Sequence, residues 1–101
     1  MTLNKVRYTV EYETLNLDGM IIEELMEFWN HAHSVRPIAL ARQLFPNAPK
    51  GYVRATKDLG NYASNKATAM QCRLDGKIDA ALSYEAIAER IYNELPEYAK
   101  W

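Results

Sequence analysis

The stretch from Tyr52 to Leu95 constrains this chain most, because it repeats apolar residues at helical spacing on both sides of Asp75-Gly76. Stepped at about 100° per residue, Tyr52, Ala55, Leu59, Tyr62, Ala63, Met70 and Leu74 fall in one stripe. After the glycine, Ala80, Ala81, Tyr84, Ile87, Ala88, Ile91 and Leu95 share a second face, with Asp79, Ser83, Glu85, Glu89, Arg90 and Asn93 opposite. Leu82 stands alone on the polar side. Gly76 can adopt the left-handed conformation that closes a helix, and Pro96 stops the second helix. Ala63, Ala67, Ala80, Ala81 and Ala88 would let two such helices approach closely. The pattern predicts a long antiparallel helical hairpin.

Residues 5 to 13 carry a different period. Val6, Tyr8, Val10 and Tyr12 alternate with Arg7, Thr9, Glu11 and Glu13, as in a half-buried strand. A lone strand leaves backbone groups unpaired. Its partner is expected at Leu15-Asn16-Leu17, in the tail after Pro96, or in a second copy of the chain, which would give a homodimer.

Asp18 then reads as the N-cap of a helix with Glu23 and Glu24 in its first turns, where the macrodipole favours acid. Ile21, Ile22, Leu25, Met26, Phe28, Trp29 and Ala32 give it a broad apolar face, opposite Glu23, Glu24, Glu27, Asn30 and His31. Ser34 is read as the cap of a short helix with Pro37 in its first turn, carrying Ile38, Leu40, Ala41, Leu44 and Phe45. Asn47, between two prolines, is the expected cap of the long helix. The expected fold is therefore a single mostly helical α+β domain over 1–101, one N-terminal strand followed by about four helices.

Composition excludes several classes. With 49% hydrophobic and 25% charged residues the chain is neither disordered nor collagen-like. One cysteine, Cys72, cannot form an internal disulfide, so a reducing cytoplasm is the expected compartment. No signal-peptide pattern opens the sequence, and no apolar run approaches the roughly 18 residues that span a bilayer. The seven tyrosines suit half-buried positions, where the ring packs and the hydroxyl stays wet.

Charge is segregated along the chain. Residues 1–33 hold two basic and six acidic side chains, 34–77 eight basic and two acidic, and 78–101 two basic and five acidic. Either the segments attract one another within the fold, or a basic patch meets nucleic acid or an acidic partner.

Catalysis has no visible seat. His31 and His33, two apart, point to different sides of a helix, and Glu27 with His31 makes half a metal site at most. No cofactor motif, glycine-rich phosphate loop or Ser, His and Asp arrangement is present, and Cys72 reads as a small packing residue. What remains is binding, through the acidic face bearing Glu23, Glu24, Glu27 and His31, the basic segment with Arg36, Arg42, Lys50, Arg54 and Lys57, or both.

Four resemblances bear on that. Residues 59–96, with Gly76, Ala81, Ala88 and Pro96, resemble a single tetratricopeptide-like hairpin, which implies a packing analogy. Pro37 to Tyr62, displaying Lys50, Arg54 and Lys57, is similar to a helix-turn-helix. The order strand, helix, helix resembles the ribbon-helix-helix fold, with Arg7 and Thr9 on the reading face. The run Asn61 to Met70 with Leu95 to Trp101 looks like small accessory proteins of bacterial prophages and mobile elements, which implies a regulator or inhibitor acting on a host protein or nucleic acid. The expected function is thus a small non-enzymatic regulatory or inhibitory protein that binds a macromolecule, with a DNA-binding regulator as the alternative. Under the alternative, affinity for duplex DNA falls steeply with salt and is abolished by reversing charge at Arg54 and Lys57, measured by fluorescence anisotropy; binding that survives both changes sinks the basic-helix reading.

Overall fold

The computed structural model describes residues 16–45 and 53–101. A 3₁₀ turn, Leu17–Gly19, leads into α1 (Ile22–Ser34), α2 (Pro37–Leu44), α3 (Val53–Leu74) and α4 (Ile78–Glu94), and a second 3₁₀ turn, Glu97–Ala99, follows. Every regular element among the described residues is helical, so the α+β class gives way to an all-helical bundle. The expected strand at 5–13, and the dimer it would make, lie outside the described residues, as do Asn47 and Lys50. Of the two in-chain partners expected for that strand, the first enters a 3₁₀ turn at Leu17 and the tail after Pro96 forms another at Glu97–Ala99. At the first, Asn16 Oδ1 accepts a hydrogen bond from the Asp18 backbone N–H at 3.0 Å, which curls the chain and leaves Leu17 fully buried.

The long helix α3 is the spine. Its most extensive contacts are with α4 and α1, and α2 packs against it as well. Ala55, Leu59, Tyr62, Ala63, Ala67 and Ala69 are buried along it, facing Leu25 and Phe28 of α1, Ala81 and Ala88 of α4, and Leu95 and Ala99 beyond. Most of these are alanines, so the helices meet through small side chains, as the spacing predicts. At Gly60 the approach is close: a β-carbon there would lie 3.0 Å from Ala32 Cβ, so α1 and α3 meet at this point.

The hairpin turn has the geometry that the sequence predicts. Gly76 has φ +78°, its N–H donates to Arg73 O at 3.1 Å, and the Lys77 N–H donates to Cys72 O at 2.8 Å. These are the two bonds of a Schellman motif, which satisfies the carbonyls left over at the end of α3.

Three local expectations are corrected. Helix α1 begins at Ile22 rather than just after Asp18, because Leu17 and Met20 both turn inward and the intervening residues are used in the turn; Glu24 Oε1 accepts from the Ile21 N–H at 3.1 Å in the capping role. Ser34 closes α1, its Oγ donating to Asn30 O at 2.6 Å, and Arg36 occupies the N-cap of α2 with Pro37 at the first helical positions. Leu74, placed in the buried stripe by its spacing, is the last residue of α3, beside the turn, and is 75% exposed.

Leu59 is fully buried at the centre of this packing. Leu59→Ala is expected to destabilise the fold by about 2–5 kcal/mol in urea unfolding, while Leu74→Ala stays within about 0.5 kcal/mol. Equal losses at the two positions would contradict the packing described here.

Candidate functional site

The first turn, α3, α4 and the residues after Pro96 converge on one carboxylate. Asp18 Oδ1 accepts a short hydrogen bond from the Tyr62 hydroxyl, and its Oδ2 accepts from Trp101 Nε1 at 2.8 Å. Lys66 Nζ lies 3.8 Å from Oδ1, one helical turn beyond Tyr62 on α3. The Tyr92 hydroxyl of α4 donates to the Trp101 carbonyl, which holds the indole over the cleft. Three rings therefore form a corner: Tyr62 and Trp101 have centroids 5.0 Å apart, Tyr92 and Trp101 4.7 Å, both pairs edge to face. That inclination suits the ring quadrupoles and leaves part of a face open.

Around this corner is a cleft of about 580 Å³, lined by Asp18, Tyr62, Lys66, Glu85, Ala88, Glu89, Tyr92 and Trp101. Its volume lies within the roughly 300–1,000 Å³ of clefts that hold ligands. Glu85 is also gripped by Arg73, whose Nε and Nη2 donate to its two carboxylate oxygens at 2.6 and 2.8 Å. This fork ties the end of α3 to α4, and the hydrogen bonds and charge of Arg73 hold the Glu85 carboxyl below its usual range. Both groups face water, so the pair orients side chains more than it stabilises the fold.

Partial burial alone would push Asp18 up, but the hydrogen bonds from Tyr62 and Trp101 and the charge of Lys66 outweigh it, so its carboxyl titrates below the ordinary 3.8. Tyr62 moves the other way. Burial, reinforced by the hydrogen bond to Asp18 and the negative charge beside it, raises its phenol well above the ordinary 10.0.

The residues singled out by the sequence lie elsewhere. Glu23 is exposed in the first turn of α1, Glu24 is used as a cap, and Glu27 and His31 are half-buried rather than displayed. Arg36 and Arg42 are exposed at the two ends of α2. Arg54 and Lys57 are exposed on α3, with Arg54 Nε 3.9 Å from Asp58 Oδ2. Among the described residues no three His, Cys, Asp or Glu side chains group to hold a metal ion, and no helix is long and apolar enough to cross a membrane. Cys72 is half-buried. The cleft was not among the expected sites, because Asp18, Tyr62, Tyr92 and Trp101 are scattered over 83 positions and each has an ordinary structural reading alone.

Compared with protein-family models, curated proteins and solved structures, the chain matches none.

A depressed carboxyl contributes stability that is present above its unfolded pKa and lost as pH falls through its folded one. Asp18→Asn is therefore expected to lower the melting temperature at neutral pH, with the gap to wild type closing as pH falls below 3.8. For Tyr62 the sign is reversed: its contribution is present below 10.0 and lost at higher pH. Ultraviolet titration of the native protein should leave one phenol un-ionised beyond the others, and Asp18→Asn should bring it down. A gap that persists unchanged in acid would remove Asp18 from its central place.

Proposed function

We propose that this chain is a non-enzymatic binding protein of regulatory or inhibitory type, and that its partner is a protein. One observation supports the reading above the rest: the hairpin carries an uncovered apolar end. Leu74 is 75% exposed, Ile78 46% and Leu82 52%, all near the turn. Large apolar side chains grouped on a surface lose solvation free energy that a partner's apolar face recovers. The row continues along one side of α4. Ile78, Leu82, Glu85, Glu89 and Tyr92 are spaced 4, 3, 4 and 3, which keeps them on a single helical face leading from the turn to the cleft. A partner segment laid along α4 would meet apolar side chains first, then carboxylates, then aromatic rings.

The Schellman turn and the Arg73–Glu85 fork hold this face in place before any partner arrives, and a surface ordered in advance loses less entropy on association. The accessory-protein resemblance is consistent with such a role and adds the host-protein partner.

The triple change Leu74→Ser, Ile78→Ser, Leu82→Ser tests the reading, since these side chains contribute little to the core and the melting temperature should hold. With wild type as bait in cell extract, one protein is expected to be retained, and the triple variant should lose it by at least about tenfold, the effect of apolar anchors worth ~1.4 kcal/mol or more together. If the variant retains the same protein equally well, the apolar row is not the contact surface. If wild type instead binds duplex DNA with steep salt dependence, the regulator alternative takes its place.

A further inference from the structure

We infer that the basic surface made by α2 and the first turns of α3 is a second contact site, and that it receives an acidic segment of the partner protein. The inference rests on the binding reading above and adds a surface to it.

Between Glu27 and Asp58 the sequence holds no aspartate or glutamate, while Arg36, Arg42, Lys50, Arg54 and Lys57 all fall there. Further along α3 the fold absorbs its own basic charge: Lys66 lies against Asp18, and Arg73 grips Glu85. At the start of α3 and on α2 it does not. Arg36, Arg42 and Lys57 are exposed and form no ion pair among the described residues, and Arg54 has only Asp58, 3.9 Å away on its own helix. The surplus of positive charge is left at the surface.

The fold also gathers these cations. A β-carbon at Gly60 would lie 3.6 Å from His33 Cε1, which sets the last turn of α1 against α3 one turn beyond Lys57. Arg54 and Lys57, three apart, share a side of α3. Arg36 comes three residues after His33, at the N-cap of α2, and α2 packs against α3 with Arg42 in its last turn. Arg36, Lys57 and Arg54 therefore belong to one region of the surface, around the corner between α1 and α2.

A nucleic acid and an acidic stretch of protein both carry the charge such a region attracts, and the rest of the molecule favours the second. The whole chain has net charge −1, and Glu23, Glu89, Glu94 and Glu97 are exposed on it. A long polyanion would meet repulsion from these groups, whereas nucleic-acid-binding domains are commonly basic as a whole. A short segment with a few carboxylates needs only the patch. Arg36 and Arg42 each present a planar fork that takes both oxygens of one carboxylate. This surface is distinct from the apolar row, since Arg54 and Leu74 lie ~30 Å apart along the axis of α3.

The test uses the full chain and fluorescein-labelled hexaglutamate amide, followed by anisotropy at low salt. Saturable binding is expected, at least about tenfold weaker for the hexaglutamine peptide, which keeps the shape and loses the charge. Arg36→Gln with Lys57→Gln should weaken it at least about threefold; Arg36 makes no side-chain cap bond, so the melting temperature should hold. Lys77→Gln with Arg90→Gln removes the same charge from exposed positions elsewhere and should leave binding nearly unchanged. Lack of saturation, equal binding of hexaglutamine, or equal losses in the two double variants would each overturn the assignment. Tighter binding of a 20-base-pair DNA duplex that depends on Arg36 and Lys57 would overturn it in favour of nucleic acid. Failure here is separable from failure of the binding reading: capture of a partner that depends on Leu74, Ile78 and Leu82 stands without hexaglutamate binding, and hexaglutamate binding with capture indifferent to those residues would remove only the apolar row.

Discussion

The hydrogen bonds to Asp18 join parts of the chain that nothing in local sequence would bring together. Tyr62 is contributed by α3, Trp101 by the residues after α4, and Asp18 by a three-residue turn before α1. A carboxylate that accepts from a phenol and an indole and faces an ammonium has its charge compensated without full burial, which makes the junction tolerable beside apolar surface. The position of Trp101 follows from it, and with it the wall of the cleft. Without this junction the last residues would have one fewer tie to the bundle, and the aromatic corner would lose its third ring.

The second constraint is close packing through small side chains. Ala63, Ala67, Ala81 and Ala88 are buried along the α3–α4 hairpin, and Gly60 lies against Ala32 where α1 meets α3. Such a seam buries little apolar area per residue. The bulkier contributions therefore come from Leu17, Leu25, Phe28, Leu59 and Leu95, which are buried between the elements. Charge follows the same plan. Lys66 reaches Asp18 and Arg73 reaches Glu85, so the basic middle of the sequence bridges to both acidic flanks. The charge segregation is thus used at least partly within the fold.

The hairpin was readable in advance because its signals are local: two helical periods, a glycine at the turn and a proline after the end. The alanine seam and the isolation of Leu82 followed from the same spacing. Periodicity misled at Leu74, the last residue of α3 beside the turn, and at Asp18, whose cap-like neighbourhood concealed a long-range role. An aspartate before an acidic apolar run has the signature of an N-cap; only the inward turn of Leu17 and Met20 shows why the helix starts later. The cleft was illegible for a deeper reason. It is made by tertiary contact between residues up to 83 positions apart, and no spacing rule connects Asp18 with Trp101. The expected acidic face dissolved in part for a similar reason, since Glu24 serves its own helix and Glu27 and His31 sink halfway into the bundle.

The turn between α3 and α4 has one further implication. Its closing bonds run from backbone to backbone, and its one strict demand on residue type is the glycine at position 76, the only described residue with positive φ. Leu74, Lys77 and Ile78 flank that glycine and owe the turn no particular side chain. Substitutions can accumulate there under drift or selection while the bundle stays the same, so this end of the molecule is where lineages of such a protein would diverge fastest in surface chemistry. The Asp18 junction, which needs four side chains at once, would change least.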